Sequence, residues 1–184
     1  MLPEIKEYER TSTTVINAYV MPIVARYLET LMRALDDIGI KAPLMPMQSN
    51  GGIVSARAAA EKPANIIESG PAAGVVGARA LARKLELSDI IPFDMGGTTA
   101  KTSLIEGAKF TRSLDYQVGG DILMGSRLLT GAGYLLKLPA IDLAEGGAGG
   151  GSIVWIDAAG SLQIGPESAG ADPGSVCYGR GGQR

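Results

Sequence analysis

The chain of 184 residues contains no histidine and only one cysteine, Cys177. Histidine is the commonest general base and a frequent metal ligand in proteins. Any chemistry in this chain must therefore depend on carboxylates, hydroxyls, backbone amides or residues of another chain. A single cysteine excludes an intrachain disulfide and is typical of a protein from a reducing compartment.

The sequence also lacks a basic cluster, a signal peptide and any apolar run of about 18 residues. Its net charge of −2 argues against nucleic acid as the main partner. We therefore expect a soluble, cytoplasmic protein that binds neither nucleic acid nor membrane. Its length allows one domain or one lobe of a larger protein. Its 26 glycines lie mainly in loops with definite neighbours, which indicates close backbone approach rather than disorder.

Helical spacing of apolar residues predicts a long helix over residues 11–38, with Gly39 as its stop and Pro22 as a kink or division. A short helix is predicted over 55–60. Ser69 or Gly70 would cap a third helix, which has Pro71 in its first turn and continues over residues 72–87. Its early positions are small, which permits close approach of either a neighbouring helix or a ligand.

Short apolar stretches predict strands, and the fold class that follows is α/β, a mixed sheet with flanking helices. The strand ending at Asp94 would begin a meander of three strands at its centre. A short helix over 122–129 would follow, with Asp121 near its N-cap. The expected strands are 43–47, 64–68, 90–95, 102–105, 109–114, 153–157 and 161–164.

Residues 90–101, IIPFDMGGTTAK, carry the most chemical information. An apolar strand delivers Asp94 to its end, Gly96 and Gly97 let backbone N–H groups approach an anion, and Thr98 adds a hydroxyl. Two interpretations remain open on spacing alone. The segment forms a phosphate-binding hairpin, or the two glycines only form a tight turn between strands.

A second glycine-rich stretch, residues 146–151, leads directly into the apolar run 153–156. A flexible Gly/Ser linker would have this composition. An ordered loop is favoured because the glycines adjoin a strand.

Taken together, these segments resemble the A subunit of the hydantoinase/oxoprolinase family, ATP-dependent enzymes that open hydantoins and related lactams. The match rests on five blocks in family order. They are residues 2–13, the MQSNGG segment at 47–52, the SGPAAG segment at 69–74, the DMGGTTAK segment at 94–101, and the pair GAGGGS at 147–152 with GPESAGADPG at 165–174.

The resemblance implies one lobe of an actin-like ATPase fold of the sugar-kinase and chaperone type. Residues 1–88 would form the helical, cleft-lining part and residues 89–184 the lobe with the second phosphate loop. The chain would be the central part of a longer subunit and would be inactive alone. The resemblance also implies ATP and Mg²⁺ as cofactors, a B-type partner subunit and a small cyclic amide as substrate. Apolar faces that would pack against other parts of the longer subunit would be exposed in this chain, so we expect it to self-associate.

The same resemblance assigns roles to individual residues. Asp94 would be catalytic and hold Mg²⁺ through water, and Thr98 would be the second catalytic residue. The cofactor-binding set would be Gly96, Gly97, Thr98, Thr99, Lys101, Gly149, Gly150 and Gly151. Lys101 could equally be solvated on the strand. Gln48, Ser49, Asn50, Gly51, Glu68 and Ser69 could line the cleft or serve only as turn and cap residues.

One departure from the family pattern is Ala144, at a position where members often carry histidine. Asp142 is the first candidate site residue among the remaining acids near glycine-rich turns. The other candidates are Asp121, Glu167 and Asp172. Because this histidine is missing, a non-catalytic nucleotide-binding or regulatory module remains an alternative function. Because ATP-dependent ketone carboxylases belong to the same family, a ketone is also an open substrate class.

Overall fold

The computed structural model describes residues 2–118, 133–170 and 172–183. Helices occupy the first half of the chain and strands the second. The helices are α1 (Glu7–Asp37), α2 (Ala56–Glu61) and α3 (Ser69–Lys84), with 3-10 turns at Pro63–Ile66 and Val176–Tyr178. The strands are β1 (Phe93–Met95), β2 (Ala100–Thr102), β3 (Ile105–Glu106), β4 (Lys109–Phe110), β5 (Arg112–Ser113), β6 (Tyr116–Val118), β7 (Tyr134–Leu136), β8 (Ala140–Ile141), β9 (Ala144–Gly146), β10 (Ser152–Ile156) and β11 (Leu162–Ser168).

The α/β class is confirmed, but the sheets differ from the expected one. In the described ranges, β1, β2 and β9 form a three-stranded sheet and the other strands form two-stranded pairs. Every pairing there is antiparallel, so the expected mixed sheet is wrong. The turn predicted at 106–108 is confirmed, since Gly107 and Ala108, with φ of 54° and 59°, return β4 onto β3. The continuous three-stranded meander is wrong, because the predicted third strand is divided into β4 and β5, and β2 pairs with β9 instead.

The long helix and its two successors are confirmed with shifted ends. Helix α1 begins at Glu7 and passes through Pro22 without a break, so the predicted division at Pro22 is wrong. Ser12 Oγ donates to Leu135 O, and Thr13 Oγ1 accepts from Lys137 N, which ties α1 to β7. Both hydroxyls thus hold the first turns of α1 against β7.

Two predicted strands are absent. Residues 64–68 lie largely in the 3-10 turn at Pro63–Ile66, where Ala64 N donates to the buried Asn17 Oδ1. Residues 43–47 contribute only a single bridge from Met47 to Ile53. At residues 64–68 the contact with Asn17 outweighs strand propensity. The predicted helix 122–129 and Asp121 lie outside the described residues.

Two apolar clusters hold the helices to the strands. One joins Ile16 of α1 to Leu136 and Leu138, and the other joins Val75 of α3 to Ile105 and Ile141. The second cluster also includes the partly buried Ile90 and Leu143, which lie shortly before β1 and β9 in the chain. In the described ranges, no helix combines the length and the hydropathy that crossing a bilayer requires.

Candidate functional site

The segment singled out in the sequence forms a hairpin between β1 and β2. Asp94 lies opposite Lys101, and Met95 lies opposite Ala100. Between them, the amide of Gly96 donates to Thr99 O at 2.9 Å. The predicted strand, loop and strand are therefore confirmed, with residues 96–99 as the loop.

Neither turn geometry nor packing explains the two glycines of this loop. Neither Gly96 nor Gly97 has a φ in the left-handed region, which a two-residue hairpin turn would require. A Cβ built on Gly97 would meet no atom within 4 Å, and one on Gly96 would approach only Thr99 O, at 3.5 Å. The backbone here is open on the side where a side chain would stand.

Asp94, Lys101 and Glu145 form a row across the three-stranded sheet. Lys101 pairs with Asp94 on one side and with Glu145 on the other. Directly opposed residues of antiparallel strands point to the same face, so all three side chains lie on one face. Between this face and α3 is a cavity of about 300 Å³. Its lining residues are Pro71, Gly74, Val75, Ala78, Pro92, Phe93, Asp94, Lys101 and Leu143.

The small residues of α3 thus face a cavity beside the hairpin. Gly74 and Ala78 lie one turn apart on the helix and both line it. Their small size leaves the space next to Asp94 unfilled.

Lys101 is held by two carboxylates. Its Nζ lies 2.6 Å from Glu68 Oε2 and 3.6 Å from Glu145 Oε1, and only 18% of the side chain is exposed. Partial burial acts to lower the pKa of Lys101, but the hydrogen bond and charge of Glu68, together with Glu145, outweigh it and raise that pKa. The alternative of a solvated Lys101 is wrong. Sequence reasoning missed Glu145 because β9 was not predicted as a strand.

Ser49 anchors Glu68 behind this ion pair. Its buried hydroxyl accepts from Glu68 N at 3.1 Å, and its backbone bonds to Asn65 O and Ile141 N. Asn50 shapes the adjoining turn by accepting from Gly52 N at 2.7 Å. Asn50 therefore has the turn-forming role, and Ser49 reaches the site only through Glu68.

Tyr116 lies next to this junction. Its hydroxyl is buried, and no hydrogen bond of normal geometry reaches it from the described residues. Burial, with a contribution from the charge of Glu68, raises the pKa of Tyr116 to about 12 against an opposing interaction with Ser49. The phenol therefore stays neutral over the ordinary pH range.

The second glycine-rich segment, residues 147–151, lies along the loop 96–99. Gly150 N donates to Gly96 O at 2.9 Å and Gly151 N donates to Gly97 O at 2.7 Å. Ser152 Oγ accepts from Gly149 N at 2.9 Å. This segment is an ordered loop, as predicted, and the linker alternative is wrong. We call residues 147–151 the glycine loop.

Among the described residues, Asp142, Glu167 and Asp172 do not line the cavity beside Asp94. Asp142 lines a second cavity with Thr102 and Ala144. Ala144 is one residue from Glu145 on β9, so strand alternation places it on the face opposite Asp94. Glu167 lies in β11, Asp172 follows that strand, and Asp121 is outside the described residues.

The sequence of this chain is similar to a known family and to several known proteins. The family model described as Hydantoinase/oxoprolinase matches residues 10–184. The protein MJ0964 of Methanocaldococcus jannaschii is 50% identical over 182 residues, which cover 99% of this chain and 27% of that protein. The caprolactamase alpha subunit of Pseudomonas jessenii is 40% identical, with 99% of this chain and 24% of that subunit covered.

Solved structures agree with the sequence relatives. Nucleotide-free acetone carboxylase, described as carrying out ATP-dependent acetone carboxylation, matches with a TM-score of 0.71 at 31% identity and covers 91% of this chain and 22% of that one. The ATP-dependent caprolactamase matches with a TM-score of 0.68 at 38% identity, covering 98% of this chain and 24% of that one. The chain thus spans about a quarter of the length of these relatives.

Proposed function

The chain belongs to the hydantoinase/oxoprolinase family, and from this premise we propose that it supplies the second phosphate-binding hairpin of an ATP-dependent enzyme that hydrolyses hydantoins or related cyclic amides. The observation that carries the proposal is the open backbone at Gly96 and Gly97. Since neither glycine is needed for the turn or for packing, both leave room for phosphate oxygens to reach backbone N–H groups.

The loop offers a donor set suited to phosphate. Apart from Gly96 N, which bonds Thr99 O, the loop contributes the amides of Gly97 and Thr98, and in the described residues neither donates a hydrogen bond. The exposed Thr98 can add its hydroxyl, and Thr99 is a further hydroxyl beside it. Phosphoryl transfer depends chiefly on positioning and on charge neutralisation, which fixed amides and hydroxyls provide.

Asp94 fits a magnesium ion bound mainly through water. The described residues contain no group of three or more side chains suited to a metal. Mg²⁺ keeps much of its hydration shell and is commonly held by one or two carboxylates together with substrate phosphates. A single exposed carboxylate at the end of β1 is sufficient for that arrangement. ATP, when bound, would supply the phosphoryl group that activates the ring carbonyl toward water.

Lys101 would contribute to this site mainly by organising it. Phosphate would have to compete with Glu68 and Glu145 for its ammonium group. Three carboxylates and one ammonium leave the face with excess negative charge, so a bound triphosphate requires its cation. We therefore assign Lys101 to joining α3 and the hairpin, with contact to phosphate as a secondary role.

The scaffold and partners follow from the same proposal. We infer one lobe of an actin-like ATPase, acting in the cytoplasm with a B-type subunit, in which the other half of the phosphate clamp lies elsewhere in the subunit. Binding a triphosphate from one side alone does not offset desolvation of its charge. The 184-residue chain alone is therefore expected to bind ATP weakly and to show no turnover.

Two other functions have specific observations in their favour. The structural similarity to acetone carboxylase favours a subunit of an ATP-dependent ketone carboxylase. The Ala144 position, where relatives often carry histidine, favours a non-catalytic nucleotide-binding module. The Asp94 hairpin would bind nucleotide in all three cases, so the three functions differ in turnover rather than in nucleotide binding.

The deciding experiment measures ADP release by the full-length subunit together with its B-type partner. Release that rises with a cyclic amide supports the hydrolase, and release that rises only with a ketone and bicarbonate supports the carboxylase. No release with either substrate, while ATP still binds, supports the non-catalytic module.

Two variants test the hairpin within the same assay. Asp94→Asn should lower kcat/KM for ATP by at least about 100-fold, and Gly97→Ala should lower it by at least about tenfold. Gly77→Ala is the matched control, because a Cβ at Gly77 also meets nothing within 4 Å but lies on α3 outside the cavity lining. Unchanged ADP release in Asp94→Asn would sink the role of Asp94.

A further inference from the structure

The glycine loop makes direct backbone contact with the hairpin loop. A Cβ built on Gly149 would lie 2.6 Å from both Thr98 C and Thr99 N and 2.8 Å from Gly96 O. One built on Gly151 would lie 2.8 Å from Gly97 O. Unlike Gly96 and Gly97, these two glycines are required by packing, because no side chain fits between the two backbones.

The hydrogen bonds between the two loops fix the direction of the hairpin amides. Gly96 O accepts from Gly150 N, and Gly97 O accepts from Gly151 N. In a planar trans peptide, the carbonyl and the following N–H point in opposite directions. The amides of Gly97 and Thr98 must therefore point away from the glycine loop.

We propose that Gly149 and Gly151 are positioning residues that hold the hairpin so that the amides of Gly97 and Thr98 face a phosphate group. This inference rests on the proposed function of the hairpin. The glycine loop then acts through the backbone of the hairpin, and contact of Gly149 or Gly151 with the nucleotide is not required.

The geometry predicts the consequence of adding one methyl group. Ordinary contacts of a Cβ begin near 3.4 Å, and the 2.6 Å approach at Gly149 is shorter by roughly 0.8 Å. Thr98 C and Thr99 N both belong to the backbone of the hairpin loop, so the methyl group must change the position of one loop relative to the other. A displacement of this size is enough to misalign hydrogen bonds to a phosphate.

The test compares Gly149→Ala with Gly77→Ala in the full-length subunit with its partner. Gly149→Ala should raise KM for ATP about tenfold or more and leave KM for the ring or ketone substrate unchanged, while Gly77→Ala should match the wild type. A merely structural role would reduce the fraction of active enzyme and so lower kcat, with KM for ATP unchanged. A KM for ATP within about twofold of the wild type overturns the proposal.

A gentler variant covers the case in which Gly149→Ala does not fold. Ser152→Ala removes the hydroxyl that accepts from Gly149 N and adds no volume. It should raise KM for ATP about two- to fivefold, and an unchanged KM counts against the positioning role.

A double variant separates action through the hairpin from independent contact with nucleotide. If Gly149 acts through the hairpin, Gly149→Ala combined with Gly97→Ala should lower kcat/KM for ATP little more than the worse single change. If the effects of the two single changes on kcat/KM for ATP multiply in the double variant, the proposal is overturned. If Gly149→Ala uses ATP normally, the positioning role is refuted and the proposed function of the hairpin stands. If the wild-type subunit neither binds nor hydrolyses ATP, the proposed function is refuted as well.

Discussion

Replacing Lys101 with methionine should destabilise the chain by about 2 kcal/mol, a value between those of exposed and buried ion pairs. Exposed pairs contribute roughly 0.2–1 kcal/mol, whereas removing one partner of a buried pair costs roughly 3–5 kcal/mol. The side chains of Lys101 and Glu68 are 18% and 24% exposed, and that of Glu145 is 39% exposed. The change would leave two carboxylates facing each other across a partly desolvated space.

Urea and thermal unfolding of the chain provide the measurement. For a protein of this size, about 2 kcal/mol corresponds to a fall in Tm of about 4–8 °C. Lys109→Met, at an exposed position on β4, is the matched control and should change stability by less than about 0.5 kcal/mol. Adding Glu68→Gln to Lys101→Met should recover part of the loss, because one of the two opposed charges is removed. A loss below about 0.5 kcal/mol in Lys101→Met would refute the reasoning.

The same ion pair predicts the pH dependence of that difference. The pKa of Lys101 is raised above its ordinary value of 10.5 in the folded state. The stabilisation is therefore fully present below pH 10.5 and is lost as the pH rises through the higher folded pKa. The wild type and Lys101→Met should differ by a constant amount between pH 7 and 9 and converge at more alkaline pH.

Three further outcomes are expected. Gly97→Ala should leave the Tm unchanged or raise it, since the backbone conformation suits alanine and the space is open; a Tm lowered by several degrees would show a structural need for glycine. Tyr116→Phe should be neutral or stabilising by up to about 1 kcal/mol, because the buried hydroxyl it removes receives no hydrogen bond of normal geometry from the described part of the chain. Since the folded pKa of Tyr116 is about 12, wild-type stability should fall from pH 10 to 12 more than that of Tyr116→Phe in unfolding titrations. Tyr19→Glu should reduce self-association in sedimentation experiments, since Tyr19 is 78% exposed beside the exposed Val15 and Ile23 on α1; equal association in both proteins would place the contact elsewhere.

Local signals predicted the parts of the fold that depend on neighbouring residues. Ser55 caps α2 and the Asp94 strand ends in its glycine turn, as the sequence indicated, and α3 begins within one residue of the predicted cap, with Glu68 rather than Ser69 at the N-cap. Each of these follows from chemistry within a few residues.

The predictions that failed depend on contacts between residues distant in sequence. Residues 64–68 have the composition of a strand, but the buried Asn17 side chain binds their backbone from α1, which is distant in sequence. Strand β9 is short and exposed, and its pairing with β2 determines its structure. Because Glu145 reaches Lys101 only through that pairing, no local pattern could have predicted its place at the candidate site.

The glycines illustrate how far a sequence alone can distinguish two physical uses of the same residue. Gly96 and Gly97 are open to approach, whereas Gly149 and Gly151 are pressed against backbone. The family resemblance implied nucleotide contact for both sets. The structure supplies the missing distinction, which is the identity of the approaching group. For Gly149 and Gly151 that group is the backbone of the hairpin itself, and this is why substitutions there should affect ATP through the position of the loop.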